Sequence, residues 1–137
     1  MKKMWIIFII FLISCESKEK VTGLVDYATE PVIEDILLAK RIYDGMPQGI
    51  ADYFYRGDTV NLWILWEESR DTHEITSLWF TPSGNLEDSL TLRIVVGKHL
   101  ITIFSKPMAM YSDTGEWEIA VFSDGDFKAS VIFYLDE

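Results

Sequence analysis

Short runs rich in β-branched and aromatic residues fill the chain between residues 59 and 135, and in several of them hydrophobic and polar positions alternate. They cover residues 59–67, 73–81, 90–96, 99–105, 116–122 and 127–135. Turn-forming sequences separate several of the runs, namely Pro82-Ser83-Gly84-Asn85, Gly97-Lys98, Asp113-Thr114-Gly115 and Asp124-Gly125. Alternation of this length is typical of half-buried strands, and Gly, Pro, Asn and Asp favour the tight turns between them. The pattern therefore predicts an all-β sandwich or barrel.

The alternation also assigns the faces of each predicted strand, because successive side chains point to opposite sides of a sheet. In the last run the apolar set is Ala129, Val131, Phe133 and Leu135, and the opposite face carries Lys128, Ser130, Ile132 and Tyr134. Two tryptophans can organise much of a small core, since each aromatic side chain buries about 150–250 Å². We place six residues in the core: Trp79, Trp117, Ile119, Val121, Val131 and Phe133.

Residues 32–43 carry conflicting signals. Thr29 and Pro31 suit the start of a helix, the basic pair Lys40 and Arg41 suits its last turn, and Gly45 suits its end. Local rules alone favour a helix here, and the alternative is a strand.

Five short motifs favour the strand. They are Asp44-Gly45-Met46-Pro47, Gly57-Asp58, Trp79 before Pro82-Ser83-Gly84, Gly115-Glu116-Trp117 and Asp124-Gly125. In this order they resemble bacterial immunoglobulin-like domains across residues 33–135. The resemblance implies an immunoglobulin-like antiparallel β-sandwich of about 7–8 strands, with a strand over residues 32–43. The motifs consist of turn residues and core aromatics, so they transfer no functional site.

The first fifteen residues follow a different pattern. Met1-Lys2-Lys3 is positively charged, and the ten residues 4–13 are all apolar. A helix needs about 20 apolar residues to cross a bilayer, so this run is too short. It predicts the hydrophobic region of an export signal.

The tetrapeptide Leu12-Ile13-Ser14-Cys15 ends the apolar run and resembles the bacterial lipobox. The resemblance implies cleavage before Cys15, a diacylglycerol on its thiol and an acyl chain on its new amino group. Because acyl burial contributes about 0.8 kcal/mol per methylene, two or more chains hold a protein stably at a membrane. Inner-membrane lipoproteins of the enteric type carry Asp directly after the cysteine. This chain carries Glu16 there, and in this respect it resembles outer-membrane lipoproteins.

These features divide the chain into three parts. We expect residues 1–14 to be a cleaved signal peptide. Residues 15–30 comprise the lipidated N-terminus, a flexible tether and a candidate first strand, because residues 16–20 are polar, charged and without periodicity. Residues 31–137 form the sandwich domain.

Net charge and cysteine content limit the classes of binding partner and of covalent linkage that we expect. The formal net charge is −10, and removal of residues 1–14, which hold two lysines and no acidic residue, makes it −12. A surface of that sign repels phosphate backbones, so we expect no nucleic-acid partner. Cys15 is the only cysteine, which excludes an intrachain disulfide, and acylation accounts for an otherwise unpaired thiol in an exported protein.

No residue cluster matches a known catalytic motif, and we expect neither an enzyme nor a cofactor beyond the lipid. The two histidines, His73 and His99, lack the spacing of a zinc site. Acidic residues gather near two turns, at Glu67, Glu68, Asp71 and Glu74 and at Asp124-Gly125-Asp126. We interpret these acidic clusters as solvated turns. The alternative interpretation is that they serve a Ca²⁺-dependent or small hydrolytic domain.

Aromatic residues supply the candidate binding surface. If Val60, Leu62, Ile64 and Trp66 face the core, Trp63 points to the other side of the same strand, and Tyr53 and Tyr55 lie nearby in sequence. Exposed aromatic patches mark binding surfaces, although Trp63 could instead be covered by the N-terminal strand or by Tyr55. We therefore expect a lipid-anchored binding or assembly module with an envelope protein or glycan partner. The alternative is a carbohydrate-binding module that uses Trp63 and its neighbours.

Overall fold

The computed structural model describes residues 30–67, 72–94 and 100–137. Within these ranges the chain forms nine β-strands and no helix. The strands are β1 (Ile33–Tyr43), β2 (Met46–Ile50), β3 (Tyr53–Tyr55), β4 (Thr59–Trp66), β5 (His73–Phe80), β6 (Leu86–Ile94), β7 (Ile101–Pro107), β8 (Gly115–Ser123) and β9 (Asp126–Asp136). The predicted all-β fold is confirmed. Consistent with it, the described residues include no helix able to traverse a bilayer.

The strands form two sheets. One sheet has five strands in the order β3-β9-β8-β5-β6, and the other has four in the order β2-β1-β4-β7. Every pairing is antiparallel except that of β3 with β9, which is parallel. Two Asp-Gly turns, Asp44-Gly45 and Asp124-Gly125, have positive φ at both residues, as a two-residue hairpin turn of matching twist requires.

The segment with conflicting signals is a strand. β1 begins at Ile33 and ends at Tyr43, so the helix alternative is wrong. Its residues 33–39 pair with β4 and residues 39–43 with β2, and this long-range pairing overrides the local helix signals. β6 begins at Leu86, four residues before the predicted start, and β2 lies in a stretch for which no strand was predicted.

The predicted core is confirmed. Trp79, Trp117, Ile119, Val121 and Phe133 are at most 1% exposed, and Val131 packs against them half-buried. Phe133 lies at the centre of the aromatic group. Its ring stacks on Trp117 at 5.8 Å and meets Phe54 and Trp79 edge to face at 5.6 and 6.2 Å. The interior is thus organised by aromatic rings contributed by four strands of the five-stranded sheet.

All four tryptophans in the described residues are buried, with Trp63 the most exposed at 4%. Each indole N–H donates a hydrogen bond of 2.8–2.9 Å, and the acceptors are Gly45 O, Thr102 Oγ1, Ser77 Oγ and Asp113 O. We therefore expect blue-shifted tryptophan emission and little quenching by acrylamide in the chain from Cys15 onward. Urea should restore quenching to the level of free tryptophan, and strong quenching of the native protein would contradict this burial.

The sandwich has two distinct ends. Glu30 ion-pairs with Lys128 at the start of β9 (Oε1 to Nζ, 3.4 Å), so the chain enters the sandwich at this proximal end. Tyr134 lies six residues further along β9, about 20 Å away at the rise of an extended strand. The distal end therefore holds the end of β9, the end of β3 and the turns at residues 56–58 and 81–85.

Candidate functional site: a distal tyrosine surface

Tyr53 and Tyr55 are exposed because β3 is an edge strand with alternating faces. Phe54 between them points into the core and is fully buried, whereas Tyr53 and Tyr55 are 41% and 47% exposed. β3 pairs in parallel with the last residues of β9, with Tyr53 beside Tyr134. The sequence placed these two tyrosines in a loop or strand edge, and the structure puts them on the outer face of a sheet.

Tyr134 joins them to form a continuous surface. It is 45% exposed, and its ring centroid lies 5.3 Å from that of Tyr53, while Tyr53 and Tyr55 are 5.5 Å apart. We call these three residues the tyrosine surface. The alternation along β9 predicted that Tyr134 faces away from the core. The parallel pairing that brings it beside Tyr53 has no local signal in the sequence. Sequence reasoning therefore missed it as a site residue.

One tyrosine is held in place by a carboxylate. The Tyr53 hydroxyl donates a hydrogen bond to Asp136 Oδ2 at 2.5 Å. This bond raises the pKa of Tyr53 from 10.0 to about 12, with smaller contributions from burial and the Asp136 charge. The same bond, followed by one from the Glu137 backbone N–H, lowers the pKa of Asp136. At neutral pH Tyr53 is therefore a neutral phenol beside the ionised carboxylate of Asp136.

A lysine already lies against the rings from one side. Lys40 Nζ is 5.6 Å from the ring centroid of Tyr55 and 5.4 Å from that of Phe54. It also ion-pairs with Asp58 Oδ2 at 3.3 Å, and the same oxygen accepts the Tyr55 backbone N–H at 2.8 Å. Asp58 thus fixes both the turn after β3 and the cation beside it.

Trp63, a candidate residue of the binding surface, is not part of it. Of the two alternatives that the sequence left open, exposed or covered, the structure shows the covered one. The Trp63 side chain points away from the core, as predicted, but is only 4% exposed. The indole N–H donates to Gly45 O at 2.9 Å. Gly45 lies eight residues beyond Leu37, the register partner of Trp63, which is about 26 Å along a straight strand. The hairpin of β1 and β2 must therefore fold back over the outer face and cover Trp63.

Two recesses flank the tyrosine surface. The first, which we call the acidic recess, has a volume of about 500 Å³ and is lined by Phe80, Thr81, Pro82, Gly84, Glu116 and Glu118. The second has a volume of about 510 Å³ and is mostly apolar, with a lining of Leu38, Ile50, Ala51, Asp52, Val131 and Ile132. Both volumes fall in the range of ligand-binding clefts, about 300–1,000 Å³.

Glu116 and Glu118 face outward next to the tyrosine surface. In the ladder between β8 and β9, Glu116 is the partner of Tyr134 and Glu118 is the partner of Ile132. Such partners have Cβ atoms about 4.5–5.5 Å apart. Within the three described ranges neither carboxylate forms an ion pair. The outer face therefore carries two unneutralised charges at the edge of the tyrosine surface.

The other candidate residues lie elsewhere. His99, Glu68 and Asp71 are outside the described residues, as is Cys15 with the whole segment before Glu30. In the part of the chain that the structure describes, no three His, Cys, Asp or Glu side chains gather as metal ligands.

His73 and Asp124 instead form a link at the proximal end. His73 Nδ1 lies 2.6 Å from Asp124 Oδ2, and Asp124 Oδ1 accepts the Glu74 backbone N–H at 2.9 Å. Asp124 N in turn donates to Glu74 O at 2.8 Å. These contacts tie the turn between β8 and β9 to the start of β5, which is a structural role.

The Asp124 link predicts a pH dependence of stability. The Glu74 N–H and then His73 lower the pKa of Asp124 below 3.8, so its contribution is complete above that pH and is lost as the pH falls through the folded-state pKa. Asp124→Asn should cost about 1 kcal/mol at neutral pH, because the carboxylate is half exposed, and less below pH 3.8. Urea unfolding of the wild type and Asp124→Asn, at neutral pH and below pH 3.8, measures this cost. An equal difference in the free energy of unfolding at both pH values would contradict the prediction.

Comparisons with known proteins report on the fold. No protein-family model and no curated protein matches the chain. An immunoglobulin-like protein from Pseudomonas aeruginosa is similar in structure, with a TM-score of 0.54 and 16% identity over 77% of this chain and 96% of that one. A second similar structure is the alkylpurine DNA glycosylase AlkC of Pseudomonas fluorescens, bound to DNA containing an abasic site analog. Its TM-score is 0.54, and its sequence identity is 12% over 80% of this chain.

These likenesses support the architecture alone. This chain spans only 31% of the length of AlkC. The strand order agrees with an immunoglobulin-like sandwich, since β1, β4 and β7 lie together in one sheet and β5, β8 and β9 in the other, as strands A, B, E and C, F, G do. The fold is therefore an immunoglobulin-like β-sandwich, as the sequence motifs predicted.

Proposed function

We propose that this chain is a lipid-anchored envelope lipoprotein whose folded domain is a non-catalytic binding module. The observation that carries the proposal is the tyrosine surface, in which Tyr53, Tyr55 and Tyr134 are exposed and in contact. Tyrosine is enriched at binding hot spots because it offers a large contact area together with a polar hydroxyl.

The tyrosine side chains are carried by paired strands, which orders them before a partner binds. Tyr53 and Tyr134 belong to paired strands, and Tyr53 is further held by Asp136. Side chains that are ordered before a partner arrives lose less conformational entropy on association. A partner therefore meets a pre-organised patch.

The proposed anchor is consistent with the position of the tyrosine surface. The lipid would sit on Cys15, outside the described residues, and fourteen residues lie between it and Glu30 at the proximal end. That length of chain spans at most about 50 Å. The tyrosine surface lies at the other end of β9, so it is displayed on the side away from the anchored end. Glu16 favours the outer membrane.

Replacement of Cys15 tests the anchor. Cys15→Ser should abolish incorporation of labelled fatty acid, because the thiol that would carry the diacylglycerol is lost. Mass spectrometry of the native protein should show residues 1–14 absent and lipid on Cys15. A full-length, unacylated native chain would overturn the lipoprotein assignment.

Substitution of Tyr134 tests the binding role. With the acylated protein as bait in envelope extracts, a partner captured by the wild type should be lost or reduced about tenfold with Tyr134→Ala. Tyr43→Ala is the matched control, because Tyr43 is 70% exposed but lies on the hairpin of β1 and β2. Equal capture by the wild type and by both variants would argue against the tyrosine surface.

A glycan partner is the second candidate, supported by the exposed tyrosine rings, which can stack on sugars. Trp63 lends no support to this role, because its side chain is only 4% exposed. Retention on peptidoglycan that is lost in Tyr134→Ala and kept in Tyr43→Ala would favour the glycan. Absence of retention alongside Tyr134-dependent protein capture would favour the protein partner.

A further inference from the structure

We propose that the tyrosine surface and the acidic recess together bind a basic segment of a partner protein, with an arginine side chain lying across Tyr134 and its guanidinium at Glu116 and Glu118. The inference rests on the proposed function and specifies the chemistry of the partner. It is carried by the arrangement of three groups on the outer face of the five-stranded sheet.

The first group is the aromatic ring. Tyr134 has its exposed side chain directly beside Glu116 across the ladder between β8 and β9. Cations are attracted to the faces of tyrosine rings within about 6 Å of the centroid, and arginine also stacks on them through its planar guanidinium. The neighbouring Lys40, at 5.6 Å from the centroid of Tyr55, forms this kind of contact within the chain itself.

The second group is the pair of carboxylates. Glu116 and Glu118 lie two residues apart on one strand, so both project to the same face, and among the described residues neither is ion-paired. Like charges at this spacing repel each other, and a guanidinium placed between them relieves the repulsion. Its fork of N–H donors matches carboxylate geometry.

The third group is the recess itself. Phe80 and Pro82 supply the apolar part of its lining beside the two carboxylates, and its volume is about 500 Å³. Long basic side chains bury their methylenes on apolar surface and keep the charge at a polar rim. The recess therefore offers further apolar surface to the arginine side chain that crosses Tyr134, beside the carboxylates that hold its guanidinium. The mature chain's formal charge of −12 adds attraction at longer range.

Peptide binding tests this proposal on the soluble form of the chain, residues 16–137. The probe is a fluorescent nine-residue peptide of alternating glycine and arginine. The controls are the same peptide with citrulline, which keeps the shape and loses the charge, and one with glutamate. We expect saturable binding of the arginine peptide and at least tenfold weaker binding of the other two, by fluorescence anisotropy at a fixed, moderate salt concentration.

Variants locate the binding. Tyr134→Ala and Glu116→Gln/Glu118→Gln should each weaken the arginine peptide about tenfold, whereas Tyr134→Phe should retain affinity because the ring remains. Glu67→Gln is the charge control, since Glu67 is exposed at the proximal end, and it should change the affinity less than twofold. All side chains changed here are outside the core, so each variant should show a cooperative thermal unfolding transition like that of the wild type, which is to be measured alongside binding.

Two results would overturn the inference. One is equal binding of the arginine and citrulline peptides. The other is an effect of Tyr134→Ala or Glu116→Gln/Glu118→Gln no larger than that of Glu67→Gln, which would indicate attraction by net charge alone. If envelope capture depends on Tyr134 but the arginine peptide does not bind, the proposed function stands and this inference fails. If neither depends on Tyr134, both fail.

Discussion

Replacing Phe133 with alanine is expected to lower the free energy of unfolding by about 3–5 kcal/mol, the usual cost of removing a buried aromatic ring. Phe133 is 1% exposed and contacts the rings of Phe54, Trp79 and Trp117. The substitution opens a cavity that these rigid rings cannot fill by small movements. Domains of this size are typically stable by only about 5–15 kcal/mol, so the loss is a large fraction of the total.

The neighbouring residue supplies the control for Phe133→Ala. Tyr134 follows on the same strand but faces outward and is 45% exposed. Tyr134→Ala should therefore cost about 1 kcal/mol or less. Urea unfolding followed by far-ultraviolet circular dichroism measures both. Similar losses for Phe133→Ala and Tyr134→Ala would contradict the assignment of faces on β9.

Removal of the Trp63 side chain is expected to have the second large effect, about 3–5 kcal/mol for Trp63→Ala. Trp63 lies outside the core but is covered by the hairpin of β1 and β2, with its N–H bonded to Gly45 O. Trp63→Phe keeps a ring and loses the hydrogen bond to the partly buried Gly45 O, so it should cost about 0.5–1.5 kcal/mol, the net contribution of one hydrogen bond.

Hydrogen exchange separates this effect from a general loss of stability. In Trp63→Phe the amides of residues 46–50 should exchange faster, while those of β8 and β9, in the other sheet, stay protected. Denaturant unfolding gives the total loss in the free energy of unfolding for Trp63→Ala and Trp63→Phe. A cost below about 1 kcal/mol for Trp63→Ala would show that the indole is not covered as described. Trp63→Phe should also leave capture of the partner unchanged, since Trp63 is not on the tyrosine surface.

The strands could be predicted wherever one face is buried. Alternation in β5, β8 and β9 fixed both the strand and its inward face, because a shift of one residue would expose Trp79, Trp117 or Phe133. Residues 32–43 show the limit of this reasoning. Their cap and charge signals describe a helix, whereas the motifs that resemble immunoglobulin-like domains predicted the strand. The pairing with β4 and β2 is what stabilises the strand.

The candidate site could be predicted in part. Tyr53 and Tyr55 lie on the surface that the sequence pointed to, but Trp63 does not, since its cover comes from a hairpin turn 18 residues earlier. Tyr134 and Asp136 meet Tyr53 from about 80 residues away through a parallel pairing. Local patterns indicate which way a side chain points from its own strand. They carry no information about which distant strand lies beside it.

The two ends of the sandwich have a mechanical consequence. A tension between the chain before Glu30 and a partner held at Tyr53 and Tyr134 runs nearly lengthwise along β9. The ladder hydrogen bonds of antiparallel strands lie perpendicular to that direction, so they are sheared together and not peeled apart one by one. A domain anchored and bound as we propose would therefore bear such a pull in shear.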